Sequence, residues 1–226
     1  LTIGLAIWLA RADDRRWMRR LGWIALAAVV AQGALGGMTV IFMLPKPVSI
    51  SHACLAQLFF STTVCLALFT SEGWRRPRRM VDDPGIHALT LAASLSIFAQ
   101  LALGAAARHK AFGILPHVCG AVVATGIVVW LVVRVLLRHP NQAGLVRSAL
   151  ALLAIAIVQV FLGIAAYMSR IATLEAPQPM AVMVGFTVAH VAAGALTLAA
   201  SVVTAVEVFR HVRRPMAEPG GVVVTS

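Results

Sequence analysis

Residues 145–168 read LVRSALALLAIAIVQVFLGIAAYM, and from Ser148 to Ser169 no residue carries a formal charge. Such a stretch matches the roughly 20 apolar residues that carry a helix across the hydrocarbon of a bilayer. Working outward from it, runs of similar length lie near 21–43, 49–70, 86–107, 113–137 and 180–206. Prolines punctuate the breaks: Pro45 and Pro47, Pro77 and Pro84, Pro116, Pro140, then Pro177 and Pro179. The expectation is an all-α, polytopic transmembrane helix bundle with six full spans. The opening run Leu1 to Ala10 is too short to cross, and neither a basic segment before it nor a small-residue cleavage site after it marks a signal peptide. It reads as the end of a span that starts upstream.

Composition agrees. Of 226 residues, 60% are hydrophobic and 12% charged, where an ordinary soluble domain has about 25% charged residues. A soluble globule is excluded. The net charge of +11 does not indicate a nucleic-acid partner, because the basic residues sit between apolar runs and form no face of a soluble domain. Cys54, Cys65 and Cys119 all lie inside apolar runs, which points to small buried residues and away from disulfide or metal-site cysteines.

Lysine and arginine set the orientation, since cytoplasmic connections retain positive charge. One set of helix ends holds Arg11, Arg15, Arg16, Arg19, Arg20, Arg75, Arg76, Arg78, Arg79, Arg134, Arg138, Arg147, Arg210, Arg213 and Arg214; the other holds Lys46, Arg108, Lys110 and Arg170. Those 15 and 4 account for all 19 basic residues. The alternation places the first set and the C-terminus in the cytoplasm, in a multi-pass protein of the plasma membrane.

Three spans carry one short pattern: Gln32-Gly-Ala-Leu35-Gly36, Gln100-Leu-Ala-Leu103-Gly104 and Gln159-Val-Phe-Leu162-Gly163. A histidine follows each in the next span: His52, His117 and His190. The recurrence argues for duplicated helix pairs. All three histidines fall in the outer half of the membrane. An imidazole there is costly and needs a partner, so a metal or haem role stands ahead of simple helix-to-helix hydrogen bonding. Small residues one turn onward (Ala56, Ala121 and Gly194, with Gly120 and Ala193 beside them) are expected to leave room for a flat macrocycle. His87, His139 and His211 lie at cytoplasmic helix ends and read as solvated interfacial side chains. Arg108-His109-Lys110, with Arg170 in the next outer connection, forms a basic cluster able to pair with the carboxylates of a bound cofactor, snorkelling being the plainer alternative.

These motifs, from Gln32-Gly-Ala-Leu-Gly-Gly-Met-Thr through Leu44-Pro45 to the His52 helix, then Gln100-Leu-Ala-Leu-Gly with Arg108-His109, the His117 helix, and Gln159 to the His190 helix, resemble the haem A synthase family. Members of that family oxidise a porphyrin methyl group of haem O to the formyl group of haem A for cytochrome oxidase. The resemblance covers nearly the whole chain. It implies two pseudo-symmetric four-helix halves, with the first helix and most of the second missing here: 1–80 the remainder of the N-terminal, substrate-haem half, 81–210 the C-terminal half, and 211–226 a cytoplasmic tail. It implies that His117 and His190 ligate haem b, that His52 serves the catalytic site where the substrate haem iron sits, and that Arg108, His109 and Arg170 lie near the propionates. The partner of His52 in the family, three residues after a glutamate, would lie upstream of Leu1. The implied partners are haem O, the lipid bilayer, haem O synthase, cytochrome oxidase assembly factors and a second copy of the chain. Two features depart from the family: the outer connections lack a cysteine pair, and Val118 follows His117 where arginine is common. The alternative is a bis-histidine b-type membrane cytochrome that only transfers electrons, which shares His117 and His190 but needs no methyl-oxidising site at His52; a transporter or scaffold would hold no haem.

The arginine distribution yields a direct expectation. A cysteine placed at Ser71 should resist an impermeant thiol reagent in intact cells, and labelling there would reverse the topology.

Overall fold

A computed structural model describes residues 1–75 and 80–213. Arg76, Pro77, Arg78, Arg79, Arg214 and most of the expected tail lie outside the described residues. The described chain is helical: α1 (Thr2–Ala12), α2 (Arg16–Ile41), α3 (Lys46–Thr70), the single turn α4 (Glu72–Arg75), α5 (Ile86–Arg108), α6 (Leu115–Arg138), α7 (Ala143–Ala172) and α8 (Ala181–His211). α2, α3, α5, α6, α7 and α8 are long and apolar enough to cross a membrane. The protein is therefore an all-α, polytopic membrane bundle. The observed helices run a few residues beyond the apolar stretches at the polar ends, because helical backbone satisfies its own hydrogen bonds and can continue into the interface.

Helix ends follow local chemistry. Pro47 and Pro116 sit in the first turns of α3 and α6, where a missing N–H is harmless. At their outer ends α2 and α5 close alike. Leu44 N–H bonds Thr39 O at 2.7 Å and Ala111 N–H bonds Ala106 O at 2.8 Å, with Met43 (φ 55°) and Lys110 (φ 54°) left-handed where glycine is usual. Several hydroxyls within the spans turn back on their own helices, as in Thr62 to Leu58 O, Thr187 to Met183 O and Thr204 to Ala200 O, so these need no partner in lipid.

α5, α6, α7 and α8 form a closed ring in which each packs on its two neighbours, while no Cα of α6 comes within 8 Å of α8, nor α5 of α7, among the described residues. α7 and α8 pack most extensively. Ala193, Thr197, Ser201 and Ala205, one turn apart on α8, are all buried and let the backbones approach. Below them Ile86, Val128, Leu131, Val135, Leu145, Leu152 and Val208 fill the ring toward its Arg-rich end. α3 packs outside the ring against α5 and α8, and α2 and α1 follow beyond it. Gly22 admits Leu9 at the α1–α2 contact, where an added Cβ would lie 3.0 Å from Leu9 Cδ1.

The two ends differ in chemistry. At the arginine-rich end Asp83, with a side chain only 1% exposed, accepts from Arg134 and from His139 Nε2 (2.9 Å), with Arg138 at 3.7 Å. Glu207 meets Arg210 and His211, and Arg210 Nη2 donates to the carbonyls of Gly73 (2.9 Å) and Trp74 (2.8 Å). Arg15 donates to Phe69 O. Val81 and Val212 pair as a parallel bridge. These bonds gather the ends of α3, α6 and α8 and the starts of α2 and α5 on one side. At the other, Lys46 Nζ donates to Lys110 O at 2.8 Å and joins two outer connections.

Here the expectation of solvated end histidines fails. His139 is 5% exposed and paired, His211 is packed against Glu207, and His87 stacks on Phe209 with its Nε2 buried. His139 and His87 face an acid and a ring contributed by distant segments, which a linear reading does not place nearby, whereas His211 meets Glu207 one turn back on α8. The cysteines are also corrected: Cys65 is buried, but Cys54 is half-buried and Cys119 exposed on an apolar face. All three are free.

Burial alone would raise the Asp83 carboxyl, but the bonds from Arg134 and His139 outweigh it and hold it below the usual carboxylate range. A depressed folded value means its contribution is whole above the unfolded value of ~3.9 and is lost as pH falls through the lower folded one. Asp83→Ala should cost about 3–5 kcal/mol by stranding Arg134 and His139, and it should flatten the acid limb of stability in detergent thermal melts.

Candidate functional site: a histidine pair in the four-helix ring

The pattern Gln-x-x-x-Gly has a structural reason. In a helix the carbonyl of residue i accepts from the N–H of i+4, and the side chain of i+4 leans back over that carbonyl. With glycine at i+4 the flank of the carbonyl lies open to a donor from the next helix. Across α5 and α6, His117 uses that opening. A Cβ on Gly104 would lie 2.9 Å from His117 Cε1, and His117 Nδ1 is 3.2 Å from Gln100 O. Across α7 and α8 the arrangement repeats: a Cβ on Gly163 would lie 2.9 Å from His190 Cε1, and His190 Nδ1 is 3.1 Å from Gln159 O. A carbonyl only accepts, so at His190 this bond puts the proton on Nδ1 and leaves the Nε2 lone pair for another partner, whereas His117 Nδ1 faces both the carbonyl and the amide nitrogen of Gln100. At His117 the Gln100 amide nitrogen also lies 2.9 Å from Nδ1 and donates to His117 O at 2.6 Å, binding the two helices together.

His117 and His190 meet. Their helices stand diagonally opposed in the ring without touching, yet the ring centroids are 6.2 Å apart and the planes 86° apart. An imidazole nitrogen lies about 2.0 Å from a metal it ligates and about 1.1 Å from its own ring centre, so two imidazoles on opposite sides of one metal have centres about 6.2 Å apart. Nδ1–H held by a carbonyl is the usual outer support of a ligating histidine. Among the described residues no three His, Cys, Asp or Glu side chains converge to hold a metal ion. Two imidazoles fall short of the three or four protein ligands of a zinc site, but two are what a haem iron needs, since the porphyrin supplies the rest. The residues present fit a haem.

His52 shares the glycine contact and little else. A Cβ on Gly36 would lie 3.1 Å from His52 Cε1, and Gln32 Nε2 donates to His52 O at 3.1 Å. Its Nε2 faces Gln32 Nε2 at 3.5 Å, and its Nδ1 is buried without a partner. Among the described residues no second imidazole meets it. Arg108 and Arg170 are exposed at the outer ends of α5 and α7, and His109 is half-buried beside Arg108. Burial, and then the Arg108 charge, hold His109 below the ordinary histidine value, so it adds no charge at neutral pH to the expected basic cluster.

One expectation about this site is wrong. Gly120 and Gly194 do not leave room for a macrocycle. A Cβ on Gly120 would collide with Gln100 Oε1, and one on Gly194 would lie 2.9 Å from Leu101 Cδ2 and 3.2 Å from Gln159 Nε2. Both glycines accommodate the glutamine of the preceding helix. The anchoring carbonyls of Gln100 and Gln159 were invisible to residue-type reasoning, since any residue carries a carbonyl; the glycine four positions on was the available signal.

Compared with protein-family models, with characterised proteins and with solved structures, the chain matches none.

Gln100 leaves Oε1 buried without a partner. Gln100→Met keeps length and loses the amide. The lost bond, about 0.5–1.5 kcal/mol, is offset by removing an orphaned acceptor costing about 1–3 kcal/mol. Detergent thermal melts should show stability unchanged or raised.

Proposed function

We propose that this protein is a membrane haem protein of the haem A synthase type, in which His117 and His190 hold one haem b and the α2–α3 side with His52 receives haem O for oxidation of a porphyrin methyl group to formyl. The observation that carries the haem reading is the His117–His190 pair: two imidazoles on diagonal helices, each with Nδ1 committed to a carbonyl, at the spacing of axial ligands. The synthase reading adds the sequence resemblance along α2 to α8.

A bound haem supplies redox chemistry that no side chain here provides. The chain's own residues do the rest. His117 and His190 would hold the haem through their imidazoles, and a haem held by two histidines would supply electron transfer rather than oxygen binding. The carbonyl of Gln159 keeps the proton of His190 on Nδ1. Arg108 and Arg170, at the charge-poor outer surface, are placed to meet carboxylates. Apolar side chains of the ring exclude water. Haem O, the bilayer, haem O synthase, oxidase assembly factors and a second copy of the chain are the partners this reading brings, at the plasma membrane with the C-terminus cytoplasmic. The electron-carrier reading shares His117 and His190 and needs no methyl-oxidising site at His52.

Absorption spectra of the purified protein and extraction of its pigments test both. His117→Ala and His190→Ala should each abolish a low-spin haem b spectrum. His139→Ala and His211→Ala, at the far end of the bundle, should lower thermal stability and leave the spectrum of the folded fraction intact. A protein free of haem, or a spectrum unchanged in both ligand variants, would sink the haem reading. In cells supplying haem O, haem A formed once an upstream segment with a glutamate three residues before a histidine is restored would support the synthase, and its absence there the carrier.

A further inference from the structure

We infer that Gly104 and Gly163 are positioning residues that fix the planes of the two ligand imidazoles close to perpendicular, and so set the electronic character of the iron between them. The inference rests on the proposed haem pair and goes beyond it.

Each ring is restrained at two points by main chain. Its Cε1 edge lies against a glycine, and its Nδ1 is tied to the carbonyl four residues earlier on the same helix. Both restraints belong to α5 for His117 and to α7 for His190. Backbone atoms inside a regular helix have no rotamers to change, so these restraints are inherited from helix placement, and at His117 the Gln100 side-chain amide adds a further contact at 2.9 Å. Four points from two helices thus determine one angle, observed as 86°. A methyl group at either glycine would remove both restraints at once. It would press on Cε1 at 2.9 Å and cover the carbonyl that Nδ1 reaches.

The angle matters because an imidazole donates π density perpendicular to its plane. Two parallel rings act on the same iron d orbital and split it from its partner. Two crossed rings act on one orbital each and leave the pair nearly equal in energy. Crossed ligands therefore give a low-spin ferric signal with one strongly enlarged g value, whereas parallel ligands give an ordinary rhombic signal.

Electron paramagnetic resonance of the oxidised full-length protein, purified in detergent with its haem, reads this directly. The wild type should show the enlarged-g signal of crossed ligands. Gly163→Ala and Gly104→Ala should move it toward the rhombic form and shift the reduction potential, because the Nδ1 bond is lost with the orientation. Gly126→Ala on α6 and Gly185→Ala on α8, where an added methyl meets nothing within 4 Å, should change neither. A wild-type protein that binds haem through His117 and His190 but gives a rhombic signal would overturn the inference while leaving the haem site standing. So would an unshifted signal in both Gly104→Ala and Gly163→Ala. A wild type without haem would instead defeat the proposed function. If either variant fails to fold, the wild-type spectrum decides alone.

Discussion

Hydrocarbon offers no hydrogen bonds, so an imidazole N–H set into the spans of a membrane bundle is costly unless protein meets it. Here it is met by a helix carbonyl that already serves its own N–H, reached because the residue four positions on has no side chain. From that constraint much of the upper bundle follows. The histidine helix must lie close against the glutamine helix, and the glutamine must tuck under the next helix at Gly120 or Gly194.

The lower end is organised by a different economy. Charge is abundant there, and the protein buries two carboxylates, Asp83 and Glu207, each surrounded by arginine and histidine. Neither cluster gains from the pairing as much as its short distances suggest, because desolvation offsets attraction. What the clusters provide is register: Asp83 joins α6 to the start of α5, and Arg210, paired with Glu207 one turn back, reaches the carbonyls of Gly73 and Trp74, so breaking either would strand a buried charge. Gly144 accommodates the second, since a Cβ there would lie 3.1 Å from Glu207 Oε2.

The sequence made the spans legible because a lipid-facing helix must be apolar all round, a signal that needs no knowledge of neighbours. The recurring Gln and Gly, and the histidine after each, were legible for the same reason: polar and missing side chains are conspicuous in such runs. What they did was not. That the glycines receive an imidazole edge, that Gly120 and Gly194 take a glutamine and no macrocycle, and that His139 is buried against Asp83 all depend on which helices adjoin. Alternating charge and hydropathy say nothing of that. Nor could composition distinguish His52, whose Nδ1 is unpartnered, from His117 and His190, whose Nδ1 atoms are anchored.

The ring has a further consequence for how the protein comes to exist. α8 leaves the ribosome after α2, α3, α5, α6 and α7, yet 56% of the residues in its most apolar stretch are buried, against 6% for α2, and α3, α5 and α7 all pack on it. Until it inserts, lipid must stand where it will go, and His117 has no opposite imidazole. The pair therefore closes only once α8 has joined the spans that precede it, and any prosthetic group it holds meets both imidazoles only then.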